Sequence, residues 1–343
     1  MPHALALATE AAAAVEHGSI GTPLMWGITL AVVVVVVALD FVVTHKPHDV
    51  SMKEAAWWSA LYIALPLAFG VWVWTRFGGQ IGLEYYTGYL VEKSLSVDNL
   101  FVFMLLLASF AVPRDVQQRV LLIGVVGALA LRGVFIALGA QMLERFDWTF
   151  LLFGAVLLAT AVKVLRDAFR GAEHEVDPDT LRTVRVIRRF WPVTDGYRGT
   201  KFSVTENGRR ALTPLLLVTV AVMATDVVFA VDSVPAVYGI TGDPYLVFVT
   251  NAFALMGLRA LYFVLEGALS RLVHLGYGLA AILAFIGVKL VLHWAHGVWP
   301  STPEVPTLAS LGVIVAILAL VTATSLAATR RGVAGHEGVH IGG

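Results

Sequence analysis

The chain has 343 residues, of which 58% are hydrophobic and 14% charged, with 24 basic residues, 24 acidic residues and no cysteine. Soluble domains carry roughly 25% charged residues, so this composition, with a mean hydropathy of +0.79, excludes an ordinary soluble protein. The lack of cysteine excludes disulfides, thiolate metal sites, iron–sulfur clusters and cysteine nucleophiles.

Apolar runs near the length that crosses a hydrocarbon core about 30 Å thick predict an all-α, polytopic membrane bundle of nine spans. They fall near 24–43, 54–75, 84–110, 118–142, 147–167, 211–238, 245–268, 275–294 and 307–327. The first 23 residues have no basic stretch ahead of their Ala/Leu run, which Glu10 interrupts, so they are expected to be an outside segment rather than a signal peptide. Two leading spans occupy 24–83, a long polar connection 168–210, a last span 295–328 and a tail 329–343.

Lysine and arginine set the expected orientation through the positive-inside rule. With the amino terminus outside, the inner segments hold Lys46, Lys53, Arg114, Arg119, Arg271, Arg330, Arg331 and ten bases of the long connection, whereas the outer ones hold Arg76 and Arg145. The expectation is a plasma (inner) membrane protein with its amino terminus outside and its carboxyl terminus in the cytoplasm.

Five bases remain within spans: Lys93, Arg132, Lys163, Arg259 and Lys289. Six acids share that depth or nearly so: Asp40, Glu92, Asp98, Asp226, Asp232 and Glu266. An ionised group at a helix centre costs ~2.5–3.5 kcal/mol on insertion scales, so such groups face bundle interiors and mark function. Asp40 and Glu266, near span ends, are read as snorkelling.

The charged positions also repeat. Glu92-Lys-Ser-Leu-Ser-Val-Asp98-Asn99 parallels Asp226-Val-Val-Phe-Ala-Val-Asp232-Ser233, Arg132 parallels Arg259, and Lys163 parallels Lys289. Residues 84–167 and 211–294 are therefore expected to be two three-helix repeats. Because three is odd, the second enters the membrane from the opposite side. Inverted repeats are a hallmark of secondary transporters, whose sites lie near the midplane where the copies meet, often at broken helices. Pro235, just after Ser233, is the candidate break, with the carbonyls near Phe229–Val231 as freed ligands; a plain kink is the alternative.

Seven residues make two helical turns less about 20°, so Glu92 shares a face with Asn99, and Asp226 with Ser233. Asp98 and Asp232 lie one residue before those stripes. Carboxylate, amide and hydroxyl oxygens form a hard site suited to Mg²⁺, Ca²⁺ or Mn²⁺. Crowded carboxylates also hold protons that a metal would displace, which permits exchange. Lys93, Arg132, Lys163, Arg259 and Lys289 are expected to compensate charge when metal is absent.

The stretches EYYTGYLVEKSLSVDNLFVF and ATDVVFAVDSVPAVYGIT resemble the TerC family of integral membrane proteins, named for tellurium resistance, within the wider LysE-type transporter group. The similarity spans about residues 54–294. It implies a Mn²⁺ exporter that protects cells from excess manganese, with relatives tied to tellurite resistance and to metal supply for exported enzymes. It also implies metal-site roles for Glu92, Asp98, Asn99, Asp226, Asp232 and Ser233. Preference for Mn²⁺ over Ca²⁺ or Mg²⁺ rests on the resemblance.

Other signals carry less. His336-Glu337-Gly338-Val339-His340 is an HExxH string among glycines that disfavour helix, so it is read as a tail rather than a protease. His293 and His296 lie with Trp294 and Trp299 at the outer end of the eighth span, where an aromatic belt is expected and a metal-release point is conceivable. The run TVRVIRRFWPV in the long connection reads as an inner-surface amphipathic segment. The expectation is a non-enzymatic secondary transporter exporting divalent metal, foremost Mn²⁺, in exchange for protons. It has no permanently bound cofactor and no nucleic-acid partner; its surroundings are membrane lipid. Two alternatives stand beside it: an exporter of a small organic cation or amino acid, and a membrane partner that assists tellurite resistance or the metal loading or insertion of other proteins.

Overall fold

A computed structural model describes residues 19–43, 52–170, 181–206, 209–258, 262 and 274–337. The described chain is a helical bundle with one small ribbon. Its helices are α1 (Pro23–Val43), α2 (Met52–Phe77), α3 (Gly79–Ser109), α4 (Arg114–Arg145), α5 (Thr149–Arg170), α6 (Arg182–Phe190), α7 (Pro214–Tyr238), α8 (Pro244–Met256), α9 (Leu275–Val298) and α10 (Thr307–Glu337). The strands β1 (Ser203–Glu206) and β2 (Arg209–Leu212) pair antiparallel between α6 and α7.

Each of the nine expected spans coincides with a helix. Six, namely α2, α4, α5, α7, α9 and α10, are long and apolar enough to cross a membrane, and α1 and α8 contribute shorter apolar stretches. α3, at 31 residues, has the length, but Glu84, Glu92, Lys93 and Asp98 interrupt its apolar character. The seventh span is helical over Pro244–Met256, with most of its expected remainder outside the described residues. α10 continues to Glu337, so the helix takes in the start of the HExxH string despite its glycines; His340 lies outside the described residues.

Local chemistry explains the helix ends. Gly78 adopts φ +97° between α2 and α3, a backbone region that a Cβ disfavours, and this permits the abrupt reversal. Asp243 caps α8, accepting from Tyr245 N at 2.8 Å, and its carboxylate also accepts from Ser19 Oγ and Ile20 N at 2.6 Å each. One aspartate thus anchors the chain before α1 onto the start of α8.

The packing relates the two expected repeats reciprocally. α5 lies along α9 in the most extensive contact of the bundle, α3 packs on both α7 and α8, and α4 packs on both α7 and α8. Gly154 and Gly287 let α5 and α9 approach: a Cβ at Gly154 would meet the Gly287 carbonyl oxygen at 2.9 Å. Small residues serve membrane helix interfaces this way because lipid tails give helices no hydrophobic drive to associate.

Between the halves, α6 packs against α7, and the expected amphipathic segment is this nine-residue helix. The two-stranded ribbon is an addition to the all-α expectation. Its register sets Glu206 opposite Arg209 and Ser203 opposite Leu212.

Candidate functional site

The site grows from three helices. On α3, Glu92 and Asn99 share a buried face; on α7, Asp226 and Ser233 do the same; α4 brings Arg132 between them. Arg132, Glu92 and Asp226 are each 0% exposed. Arg132 Nη1 donates to Glu92 Oε1, while Nε and Nη2 donate to Asp226 Oδ2 and Oδ1, both at 3.0 Å. With its amide oxygen turned toward the guanidinium, Asn99 accepts from Nη2 at 3.1 Å and donates to the Leu95 carbonyl at 3.1 Å.

The electrostatics of this triad are unbalanced. Two carboxylates face one guanidinium, which leaves a formal charge of about −1 in a region where unpaired charge is costly. Two neighbouring polar atoms also lack partners. Ser96 Oγ and Ser233 Oγ are buried without a hydrogen bond among the described residues. The Asn251 side chain, from α8, lies beside the Glu92 carboxylate. Buried oxygens around a net negative centre are the kind of ligand that hard cations take.

The structure divides the remaining expected residues. Asp232, half-buried, accepts from Thr160 Oγ1 at 2.7 Å and faces the Lys163 ammonium, forming a second cluster between α5 and α7. Lys93 reaches the Ala254 carbonyl at 3.4 Å and packs against Gly257. Lys289 faces Glu84 and Glu304 and lines a cavity of about 730 Å³ with Gln80, Tyr238 and His293. His293 Nδ1 pairs with Glu304 Oε1 at 2.9 Å across the mouth of that cavity. The Asp98 side chain and all of Arg259 lie outside what is described. Among the described residues, no three His, Asp or Glu side chains converge on one metal position.

Pro235 does not break its helix. α7 runs unbroken from Pro214 to Tyr238, so the carbonyls of Phe229–Val231 stay within it. The proline sits in the last turn, where the loss of one backbone donor is tolerated without a break. The final turn is closed by Gly239 N donating to Pro235 O at 2.9 Å.

Asn251 and Thr160 lie outside the two acidic motifs, so the motif parallel that singles out Asn99 and Ser233 does not reach them. Their signal was polarity in mid-span: Thr250-Asn251 interrupts the apolar stretch of α8, and both are fully buried.

The sequence model of a family described as the integral membrane protein TerC family matches residues 77–333. An uncharacterized membrane protein of Myxococcus xanthus is 44% identical over 275 residues, covering 80% of this chain and 85% of the relative. An uncharacterized membrane protein of Mycobacterium tuberculosis is 42% identical over 320 residues, covering 90% and 80%. A protein of Escherichia coli K12 named "Putative membrane-bound redox modulator Alx" is 40% identical over 313 residues, covering 88% and 94%. No solved structure matches the chain.

Proposed function

Because the chain belongs to the TerC family of integral membrane proteins, we propose that it is a secondary transporter that exports divalent metal ions, foremost Mn²⁺, in exchange for protons. The observation that carries this reading is the buried Glu92–Arg132–Asp226 triad. It joins one carboxylate from each expected repeat through a cation that belongs to the protein. Arg132 holds the acids in the metal-free state, and an arriving divalent ion competes with it for the same oxygens.

The charge arithmetic favours exchange. With Arg132 in place, the two carboxylates retain about one negative charge that a proton can cancel in the metal-free state, whereas a divalent ion brings the same group to about +1, so its entry favours loss of that proton. Asn99, Ser233 and Asn251 supply neutral oxygens for the partly dehydrated ion, in the hard-donor pattern that suits Mn²⁺ and Ca²⁺. The reciprocal packing of α3–α5 with α7–α9 supports an inverted pair of repeats with the site between them. The amino terminus is placed outside and the carboxyl terminus in the cytoplasm by the distribution of lysine and arginine.

The name of the Escherichia coli relative favours a second reading, in which the protein alters redox state. This chain has no cysteine, so thiol–disulfide exchange lies outside its own chemistry. A redox effect of this chain would pass through metal supplied to or withdrawn from other proteins.

The test is Mn²⁺ flux in reconstituted vesicles at two internal pH values, with wild type beside Glu92→Gln, Asp226→Asn and Asp232→Asn. Flux that follows the proton gradient and is lost in Glu92→Gln and Asp226→Asn is expected. Undiminished flux in both variants, or none in folded wild type, overturns the reading.

A further inference from the structure

The connection between the two halves contains a surface that the transport reading leaves unused. α6 advances by about 100° per residue, which places Val184, Ile187, Phe190 and Val186 on one continuous apolar arc. Arg188, Arg185 and Arg189 occupy the opposite arc. The protein covers only half of the apolar arc. Val184 is fully buried and Ile187 packs on the core formed by α3, α4 and α7. Val186 is 53% exposed, Phe190 68%, and the adjoining Trp191 54%. Phe190 and Trp191 meet edge-to-face, their ring centres 6.1 Å apart.

We infer that α6 docks on the anionic lipid of the cytoplasmic leaflet, with Val186, Phe190 and Trp191 entering the headgroup boundary and its arginines facing lipid phosphates. Three observations select lipid as the occupant. The apolar and basic arcs adjoin, the composition that holds a helix in the plane of an interface. α6 is tied through Val184 to the same cluster as Leu215 and Val218 near the start of α7, so its uncovered side lies at the end of a spanning helix, where the bilayer boundary runs. The exposed tryptophans fall into two sets by position along the spans. Trp72, Trp74, Trp148 and Trp299 are at one end, and Trp57 and Trp191 at the other, as interfacial belts do. Trp191 belongs to the belt of the leaflet that carries negative surface potential.

This docking holds the inner end of α7, the helix that carries Asp226, on the membrane surface. It depends on the predicted orientation but not on the cargo.

The absence of cysteine makes the test clean. Phe190→Cys, labelled with an environment-sensitive fluorophore, is placed in nanodiscs of phosphatidylcholine alone or with added phosphatidylglycerol. The expected result is a blue shift and on the order of a twofold drop in quenching by neutral acrylamide when anionic lipid is present, in keeping with basic residues near a charged surface. The difference shrinks in Arg189→Gln and disappears in a combined Arg185→Gln, Arg188→Gln, Arg189→Gln variant. It persists in Arg198→Ala, whose arginine lies outside α6 and pairs with Glu206. Equal quenching in both discs overturns the inference. So does protection by inorganic phosphate in phosphatidylcholine discs, which marks an ion site, or protection that appears only with a soluble protein fraction.

Discussion

Arg132 and Asp226 are joined by two parallel hydrogen bonds, Nε to Oδ2 and Nη2 to Oδ1, each 3.0 Å long. This fork needs a planar guanidinium; an ammonium offers a point charge without its geometry. Breaking a buried pair strands the remaining charge at a cost of about 3–5 kcal/mol. Arg132→Gln, which strands both Glu92 and Asp226, is therefore expected to lower the unfolding temperature in detergent more than the double variant Arg132→Gln, Asp226→Asn, which strands Glu92 alone. Arg132→Lys falls between wild type and Arg132→Gln. A single variant as stable as wild type would show that the fork does not hold α4 to α7.

The α5–α9 contact predicts a second outcome. A methyl at Gly154 meets Val291 Cγ2 at 2.8 Å as well as the Gly287 carbonyl at 2.9 Å, whereas one at Gly287 meets nothing closer than 3.0 Å. Gly154→Ala should destabilise by about 1–3 kcal/mol, as overpacking does, and Gly287→Ala by less. Thermal unfolding of the two variants side by side checks the order.

Ala111 offers a change in the opposite direction. It follows α3 with φ 47°, and Ala111 N donates to Ala108 O while Val112 N donates to Leu107 O, both at 2.9 Å. That pairing is a Schellman cap, whose left-handed position glycine prefers. Ala111→Gly is expected to stabilise the protein by about 1 kcal/mol, read as a raised unfolding temperature with flux unchanged.

Tyr197 links the connection between the two halves to the α3–α4 turn by donating its hydroxyl to the Phe110 carbonyl at 2.7 Å. Burial pushes this hydroxyl from its ordinary 10 up to about 12. A raised folded value means that the fold favours the proton, so the stabilisation is complete below about pH 10 and is lost as pH climbs through 12. Unfolding temperature measured across that window should fall more steeply for wild type than for Tyr197→Phe, which has no proton to lose.

Span positions were legible because they depend only on the length and polarity of continuous segments. The parallel between the two acidic motifs is a property of the string itself. The sequence also singled out Arg132, Glu92 and Asp226 as charges too costly to leave facing lipid. It did not tell which acid each base would hold. Arg132 holds Glu92 and Asp226 while Lys163 faces Asp232 and Lys289 faces Glu84 and Glu304. Nor did it reveal Asn251 and Thr160, neutral residues that matter through what lies beside them.

The amino-acid sequence by itself determined that this is a membrane bundle, where its helices run and that Glu92, Arg132 and Asp226 are costly to leave facing lipid. Those outcomes follow from local composition and the energetics of transfer into lipid. Only the tertiary structure decided that one arginine joins acids 40 and 94 residues away along the chain, that Pro235 bends nothing open, and that α6 leaves half its apolar arc uncovered. Each of these depends on which helix faces lie against one another, and helix–helix packing is set by small residues and interdigitating side chains far apart in sequence.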